Sequence, residues 1–154
     1  MTELPRYGRL AGIDYGHVRI GIAVSDLGQQ FASPHQNYTR RDPARDGEYF
    51  RQLVADQEIV GFVVGLPLHT SGEESHKSTE ARQFAAWLID VAARPVQFHD
   101  ERFISIQAEQ ALTAAQLTRK KRKRRLDMIA AQMILASYLD SNREDPSISP
   151  LDDR

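Results

Sequence analysis

The stretch RLAGIDYGHVRIGIAVSD, Arg9–Asp26, decides the fold that we predict for this chain. Two short segments within it, Arg9–Tyr15 and Arg19–Asp26, are rich in Ile and Val and are bounded by Gly, His and Asp, as strands often are. Only residues 16–18 separate them, a length that suits a hairpin whose glycine adopts an unusual conformation. The chain is therefore expected to begin with two antiparallel strands.

The remainder of the chain alternates strands with helices. Further strands are predicted at Gln30–Tyr38, Ile59–Gly65 and Pro95–Glu101, and helices at Pro43–Gln57, Ser75–Ala93, Ser105–Leu117 and Leu126–Asn142. Because the first three strands are close in sequence they suit an antiparallel meander, whereas strands separated by helices are expected to pair in parallel. We predict one α/β domain over residues 1–142 and a polar, flexible tail over residues 143–154.

The composition is that of an ordinary globular protein. The 154 residues are 41% hydrophobic and 27% charged, which is enough for one core. The absence of cysteine excludes a disulfide framework, a thiolate metal site and a cysteine nucleophile. No apolar run approaches the roughly 18 residues of a membrane span, and Met1–Arg9 lacks the apolar region of a secretory signal. We therefore expect a cytoplasmic protein that does not contact a membrane.

The net charge of −1 conceals a basic run, Arg119–Arg125, in which all seven residues are Lys or Arg. Removing these seven from the 20 basic residues leaves 13 against 21 acidic ones, a net charge of −8. Such a run can bind RNA or DNA through phosphates without reading the sequence. We expect it to be poorly ordered without nucleic acid. The alternative is a solvated continuation of the last helix that never contacts substrate.

Asp14 is the first candidate for chemistry. Strand alternation places it on one face with Gly12 and Gly16, and bare backbone beside a carboxylate leaves room for an ion or a phosphate. The alternative is that the glycines serve the hairpin and that Asp14 caps a nearby group.

Asp100 and Glu101 end a predicted buried strand, and ligand-binding residues of open α/β sheets collect at that edge. Alternatively, Arg102 pairs with one acid while the other caps the next helix. Spacing alone does not decide which acid faces a cleft.

Asp127 lies in the predicted last helix, on a stripe that includes alanines able to let the helix approach a sheet closely. The other members of this stripe are Ala130, Ala131, Ile134 and Tyr138. An acid on a partly apolar stripe needs a partner or a metal. The alternative is an acid in the first helical turn, where it complements the helix dipole.

Three separated carboxylates suit hard divalent cations such as Mg²⁺ or Mn²⁺, which take oxygen ligands. Two such ions about 3.5–4 Å apart would clamp the attacking and leaving oxygens of a phosphodiester cleavage. A basic segment beside an acidic metal cluster therefore indicates a nuclease, because the segment binds the polyanion while the metal makes the acids tolerate it.

Four motifs in order resemble the YqgF/RuvX family, whose members are described as pre-16S ribosomal RNA nucleases and as Holliday junction resolvases. These motifs are GIDYGHVRIGIAVSD (Gly12–Asp26), VVGLPLHTSGEES (Val63–Ser75), DER (Asp100–Arg102) and LDMIAAQMILASYLD (Leu126–Asp140). The resemblance implies an RNase H-like fold, a five-stranded mixed sheet with helices on both faces. It also implies metal-dependent phosphodiester cleavage with Asp14, Glu101 and Asp127 as catalytic metal ligands.

The predicted function is thus a nuclease that uses one or two Mg²⁺ or Mn²⁺ ions, with structured precursor 16S ribosomal RNA favoured as its substrate. We predict nucleic-acid contacts for the basic residues Arg19, Arg102, Lys120, Lys121, Arg122 and Lys123. A resolvase of branched DNA, which needs two active sites and hence a dimer, remains an alternative, as does a binding module without catalysis. No apolar stripe beyond the core suggests an interface, so a monomer is favoured. A phosphotransferase that holds ATP between two domains would need a longer chain.

Overall fold

The structure of the protein is a computed structural model. It describes residues 3–67, 75–100 and 119–143, and for residues 119–127 and 142–143 it describes the backbone. The predicted helix Ser105–Leu117 and the tail from residue 144 onward lie outside the described residues. Within the described ranges, no helix is long and apolar enough to cross a membrane.

The core of the fold is a five-stranded mixed sheet. Its strands are β1 (Arg9–Asp14), β2 (Arg19–Ser25), β3 (Ala32–Thr39), β4 (Ile59–Leu66) and β5 (Val96–Asp100). Their order across the sheet is β3-β2-β1-β4-β5. β1 pairs antiparallel with β2, and β2 with β3, whereas β4 pairs in parallel with both β1 and β5. The predicted meander followed by parallel strands is confirmed.

Helices cover both faces of the sheet. They are α1 (Pro43–Gln57), α2 (His76–Ala92) and α3 (Arg119–Arg143). On one face Ala11 and Ile13 of β1 join a core with residues of α1 and α2, and on the other Leu10 joins a core with residues of α3. This division follows strand alternation, because successive side chains of β1 point to opposite faces.

The starts of α1 and α2 are encoded locally. Asp42 caps α1, since its side chain accepts a hydrogen bond from the Arg45 backbone nitrogen at 2.8 Å and Pro43 opens the first turn. Ser75 caps α2 through a capping box with Ser78. These caps begin both helices close to the predicted positions.

The helix α3 starts earlier than predicted. It begins at Arg119 rather than Leu126, so the basic run forms its first turns instead of an irregular segment. Lys and Arg are good helix formers, and the later part of α3 is anchored by buried residues such as Ile134 and Leu135. The helix can therefore continue through the charged residues.

The helix α3 runs antiparallel to β1. Its middle lies over Gly12, where an added Cβ would come 2.7 Å from the Leu135 Cβ. Farther along the helix, Tyr138 lies within electrostatic reach of Glu3 and Arg6, which precede β1. The amino-terminal end of α3 therefore points toward the carboxyl end of β1.

Candidate functional site

Asp14 is the last residue of β1 and lies half-buried at the carboxyl end of the parallel strands. Its backbone is opposite Gly21 of β2. Strand alternation puts Asp14 on the face of Leu10 and Gly12, which is the face covered by α3. The Asp14 carboxylate thus lies at the end of β1, on the face of the sheet that α3 covers.

The glycines beside Asp14 make room for the protein itself. A Cβ on Gly12 would lie 2.8 Å from the Ala131 carbonyl oxygen, so α3 fills the space above this residue. A Cβ on Gly16 would lie 2.4 Å from the Arg19 carbonyl oxygen. The prediction that Gly16 adopts an unusual backbone conformation was wrong. Among the described glycines the positive φ belongs to Gly8, at 106°. What Gly16 supplies is close backbone approach within the hairpin.

Asp100 does not share a face with Asp14. It ends β5, is exposed, and lies on the same face of the strand as Val96 and Phe98, which pack toward α1 and α2. The intervening residue His99 instead contacts Ser137 of α3. Glu101 and Arg102 lie outside the described residues.

Asp127 and the residues Lys120–Lys123 belong to α3, where the structure describes their backbone. Asp127 lies one helical turn before Ala131, toward the carboxyl end of β1. Arg19 opens β2 and is half-buried opposite Thr39 of β3. Among the described residues no group of three His, Cys, Asp or Glu side chains could hold a metal ion. Of the three predicted ligands, Asp14 is the one whose side chain the structure describes.

A network around Arg40 was missed from the sequence. Arg40 Nη1 donates hydrogen bonds to the Tyr15 hydroxyl at 3.0 Å and to the Gly16 carbonyl at 3.2 Å. Its Nε lies 3.8 Å from Oδ2 of the buried Asp46. The hairpin that follows Asp14 is thereby tied to the start of α1. The available signal was Asp46 itself, an acid four residues before Phe50 on the apolar stripe of α1.

A second missed cluster centres on Glu80 of α2. Its carboxylate contacts the Nε2 atoms of His17 and His76, the latter at 3.0 Å. Because His17 lies in the hairpin after Asp14, this cluster links the hairpin to α2. The five histidines of the sequence lack metal-ligand spacing on a common helix, so their pattern gives no signal for this cluster.

His99 is a half-buried histidine between β5 and α3. Its Nε2 lies 2.8 Å from the Ser137 Oγ. Burial lowers the pKa of His99 from its usual value near 6.5, although the charge of Asp100 opposes that shift. The imidazole is therefore neutral at pH 7 and serves as a polar contact between the sheet and α3.

The family model described as "RuvX: Holliday junction resolvase" matches residues 8–141. The chain belongs to the RuvX family. A relative from Rhodopirellula baltica, 44% identical over 139 residues, is matched over 90% of this chain and 80% of its own length. One from Sphingopyxis alaskensis is 41% identical over 140 residues, with 91% of each chain covered. Both carry the name "Putative pre-16S rRNA nuclease".

Solved structures confirm the RNase H-like fold predicted for this RuvX family member. The complex of T. thermophilus RuvC with a Holliday junction substrate superposes with a TM-score of 0.53 at 15% identity, covering 88% of this chain and 96% of that one. The Fowlpox virus resolvase, in complex with Holliday junction DNA, gives a TM-score of 0.54 at 12% identity, covering 87% and 98%. At such identities the likeness concerns the fold alone.

Proposed function

We propose that this protein is a metal-dependent nuclease that hydrolyses phosphodiester bonds during maturation of precursor 16S ribosomal RNA in the cytoplasm. The observation that carries the proposal is the position of Asp14. This carboxylate stands at the carboxyl end of β1, on the face covered by α3, in a chain of the RuvX family. Open α/β sheets bind their ligands at that edge. Residues 1–142 would form the nuclease domain.

The course of the chain supports Asp127 as a second ligand. Ala131 lies over Gly12, and Asp127 precedes Ala131 by one turn on a helix that runs antiparallel to β1. Asp14 follows Gly12 by two residues, which is one step along the same face of the strand. Asp14 on β1 and Asp127 on α3 therefore lie on the same side of the contact between Gly12 and Ala131, toward the carboxyl end of β1.

The alternation of β5 supports Glu101 as the third ligand rather than Asp100. Gln97 and His99 contact α3, through Tyr138 at 3.2 Å and Ser137 at 2.8 Å respectively. One further step of that alternation would put Glu101 on the face of Asp14, whereas Asp100 lies on the opposite face. The proposed metal ligands are therefore Asp14, Glu101 and Asp127.

The chemistry of these donors fits Mg²⁺ or Mn²⁺, because carboxylate oxygens are the hard ligands that both ions prefer. When bound, one or two such ions would activate water and stabilise the leaving oxygen. The chain supplies the three acids that hold them and, on the preceding two turns of α3, the basic residues Lys120–Lys123 that would bind substrate phosphates. Arg19 and Arg102 would add phosphate contacts near the acids.

RNA is favoured as the substrate because the relatives matched over at least 80% of their own length are named for precursor 16S ribosomal RNA. The description of the RuvX family model favours a second candidate, resolution of branched DNA. A resolvase cuts two strands symmetrically and would act as a dimer, whereas the RNA nuclease that we favour would act as a monomer. The molecular mass in solution separates these two proposals.

Cleavage assays with precursor 16S ribosomal RNA and with four-way DNA junctions, each with and without Mg²⁺ or Mn²⁺, test the proposal. We expect metal-dependent cleavage of the RNA and its loss in the Asp14→Asn variant, which keeps the shape of the side chain and removes its charge. Asp90→Asn, an exposed acid on α2, is the matched control and should cleave normally. Equal activity of Asp14→Asn and wild type would contradict the assignment, and binding without cleavage would favour the module without catalysis.

A further inference from the structure

A cavity of about 240 Å³ opens beside the hairpin that follows Asp14, on the face of the sheet that carries α1 and α2. Its lining includes Tyr15, Arg40, Glu80, Gln83, Phe84 and Trp87. Pockets for drug-sized ligands measure roughly 300–1,000 Å³, so this cavity suits a smaller group. Tyr15 directly follows Asp14 but faces the other side of the sheet. Such a group would therefore lie at the same edge of the sheet as the proposed cleavage site, on the opposite face.

One wall of the cavity is aromatic. The ring centroids of Tyr15 and Phe84 are 5.0 Å apart, and those of Phe84 and Trp87 are 5.5 Å apart. The Arg40 guanidinium lies 5.2 Å from the Tyr15 ring centroid. Aromatic rings and an arginine plane are the surfaces on which unpaired nucleobases stack.

The polar side of the cavity is dominated by acceptors. Asp46 and Glu80 contribute two carboxylates against the single guanidinium of Arg40, so the lining disfavours a phosphate. His17 contacts one oxygen of Glu80 and His76 contacts the other. A carboxylate offers about four acceptor sites, and further sites therefore remain for a ligand with two donors.

Among the four RNA bases, guanine alone presents two adjacent donors, N1–H and the N2 amino group, on its Watson–Crick edge. A carboxylate accepts both at once. Guanine also carries the O6 and N7 acceptors that arginine recognises. In this lining Glu80 would accept from the two donors of guanine, and Arg40 would donate to its acceptors.

We propose that this cavity binds one unpaired guanine of the substrate, stacked against the aromatic wall and held through its two donors by Glu80. The inference rests on the proposed function for placing RNA at this edge of the sheet, but the pocket and its preference for guanine are testable without cleavage. The base would fix which phosphate reaches the acids, because a nucleotide held here is anchored at the edge of the sheet where β1 ends.

Trp87 is the one tryptophan of the chain, so its fluorescence reports directly on the cavity. Full-length protein without divalent metal is titrated with GMP, IMP, AMP, CMP and UMP, with correction for absorbance. We expect a saturable change with GMP and affinities about tenfold weaker for the others, since a bidentate pair discriminates by that order. IMP is the sharpest comparison, because it differs from GMP only in lacking the N2 amino donor.

The Glu80→Gln variant should lose about tenfold in GMP affinity and bind GMP and AMP nearly alike. Glu48→Gln, an exposed glutamate on α1 outside the cavity, is the matched control and should retain the preference. Equal binding of all five nucleotides, no saturable change with GMP, or an undiminished preference in Glu80→Gln would overturn the inference. Selective GMP binding by a protein that cleaves neither RNA nor DNA would uphold this site and refute the proposed nuclease.

Discussion

Gly12 of β1 and Leu135 of α3 approach so closely that a methyl group on Gly12 would lie 2.7 Å from the Leu135 Cβ. The Ala131 carbonyl oxygen lies almost as near, at 2.8 Å from the same point. Contacts this short are impossible for real carbon atoms, so α3 can occupy its place only over a glycine. The absence of a side chain at Gly12 therefore sets how closely α3 approaches β1.

The Gly12→Ala substitution should push α3 away from the sheet. We expect a loss of about 1–3 kcal/mol in the free energy of unfolding, as is typical of overpacking, together with a fall in cleavage at temperatures where the protein remains folded. Urea denaturation and the cleavage assay measure the two effects. Gly28→Ala is the control, because its Cβ would meet nothing closer than 3.6 Å. Equal stability of the two variants would refute the close packing.

The two neighbouring acids Asp100 and Glu101 are expected to differ sharply in importance. Glu101→Gln should lower metal-dependent cleavage by at least about a hundredfold, since even the loss of a hydrogen-bond partner of a metal ligand costs 10–100-fold. Asp100→Asn should leave most of the activity, because Asp100 lies on the face opposite Asp14. Turnover at saturating Mg²⁺ measures both. A larger loss in Asp100→Asn would show that Asp100 is the ligand.

The basic residues of α3 are expected to supply most of the affinity for nucleic acid. Replacing Lys120, Lys121, Arg122 and Lys123 with glutamine should weaken RNA binding and flatten its salt dependence. Each lost phosphate contact reduces the slope of log affinity against log salt by roughly 0.7 on single strands. Fluorescence anisotropy at several salt concentrations provides the slope.

A variant that exchanges Lys and Arg at these four positions preserves the charge and serves as the matched control. It should keep the slope of wild type, because the counterions released depend on charge. The glutamine variant should remain helical, since glutamine is a good helix former. An unchanged slope in that variant would favour a solvated helix that never contacts substrate.

Tyr38 should make the protein less stable at alkaline pH. Burial, and then the hydrogen bond that its hydroxyl donates to Asp46 at 2.6 Å, raises the pKa of Tyr38 to about 12. Between the ordinary value of 10 and about 12, the unfolded state releases this proton while the folded state keeps it. The stabilisation from this group is complete below pH 10 and is lost as the pH rises toward 12.

The Tyr38→Phe variant removes this component, so its unfolding free energy should fall less steeply than that of wild type between pH 10 and 12. At neutral pH it should be less stable by about 1–3 kcal/mol, because buried Asp46 loses a donor. Tyr7→Phe, at an exposed position, controls for the loss of a hydroxyl. Parallel curves for wild type and Tyr38→Phe above pH 10 would contradict the shift.

Local patterns in the sequence were sufficient to predict the strand directions of the sheet. The short connection between Arg9–Tyr15 and Arg19–Asp26 permits only an antiparallel pair, and the intervening helices require the later strands to be parallel. The predicted start of α3 at Leu126 was wrong, because helix propensity and the packing of Ile134 and Leu135 outweigh repulsion within the basic run.

The site was predictable only where alternation or helical periodicity applies. Alternation assigns Asp14 to a face, but choosing between Asp100 and Glu101 required knowing that Val96 packs toward α1 and α2. Arg40 contacts Tyr15, which is 25 positions earlier in the chain, and Asp46, which is six positions later. The three residues lie on three separate segments of the fold. No local pattern encodes such a meeting, since it depends on how the finished sheet and helix pack.

The basic start of α3 has a thermodynamic consequence. Seven cationic residues occupy the end of a helix where the backbone dipole is already positive, and cations three or four positions apart also repel one another. Any polyanion that binds there removes both penalties, and by linkage its binding energy adds to the stability of the folded chain. The melting temperature is then a joint property of the protein and the anions around it, and a thermal scan in phosphate or with heparin would report occupancy of α3 as much as intrinsic stability.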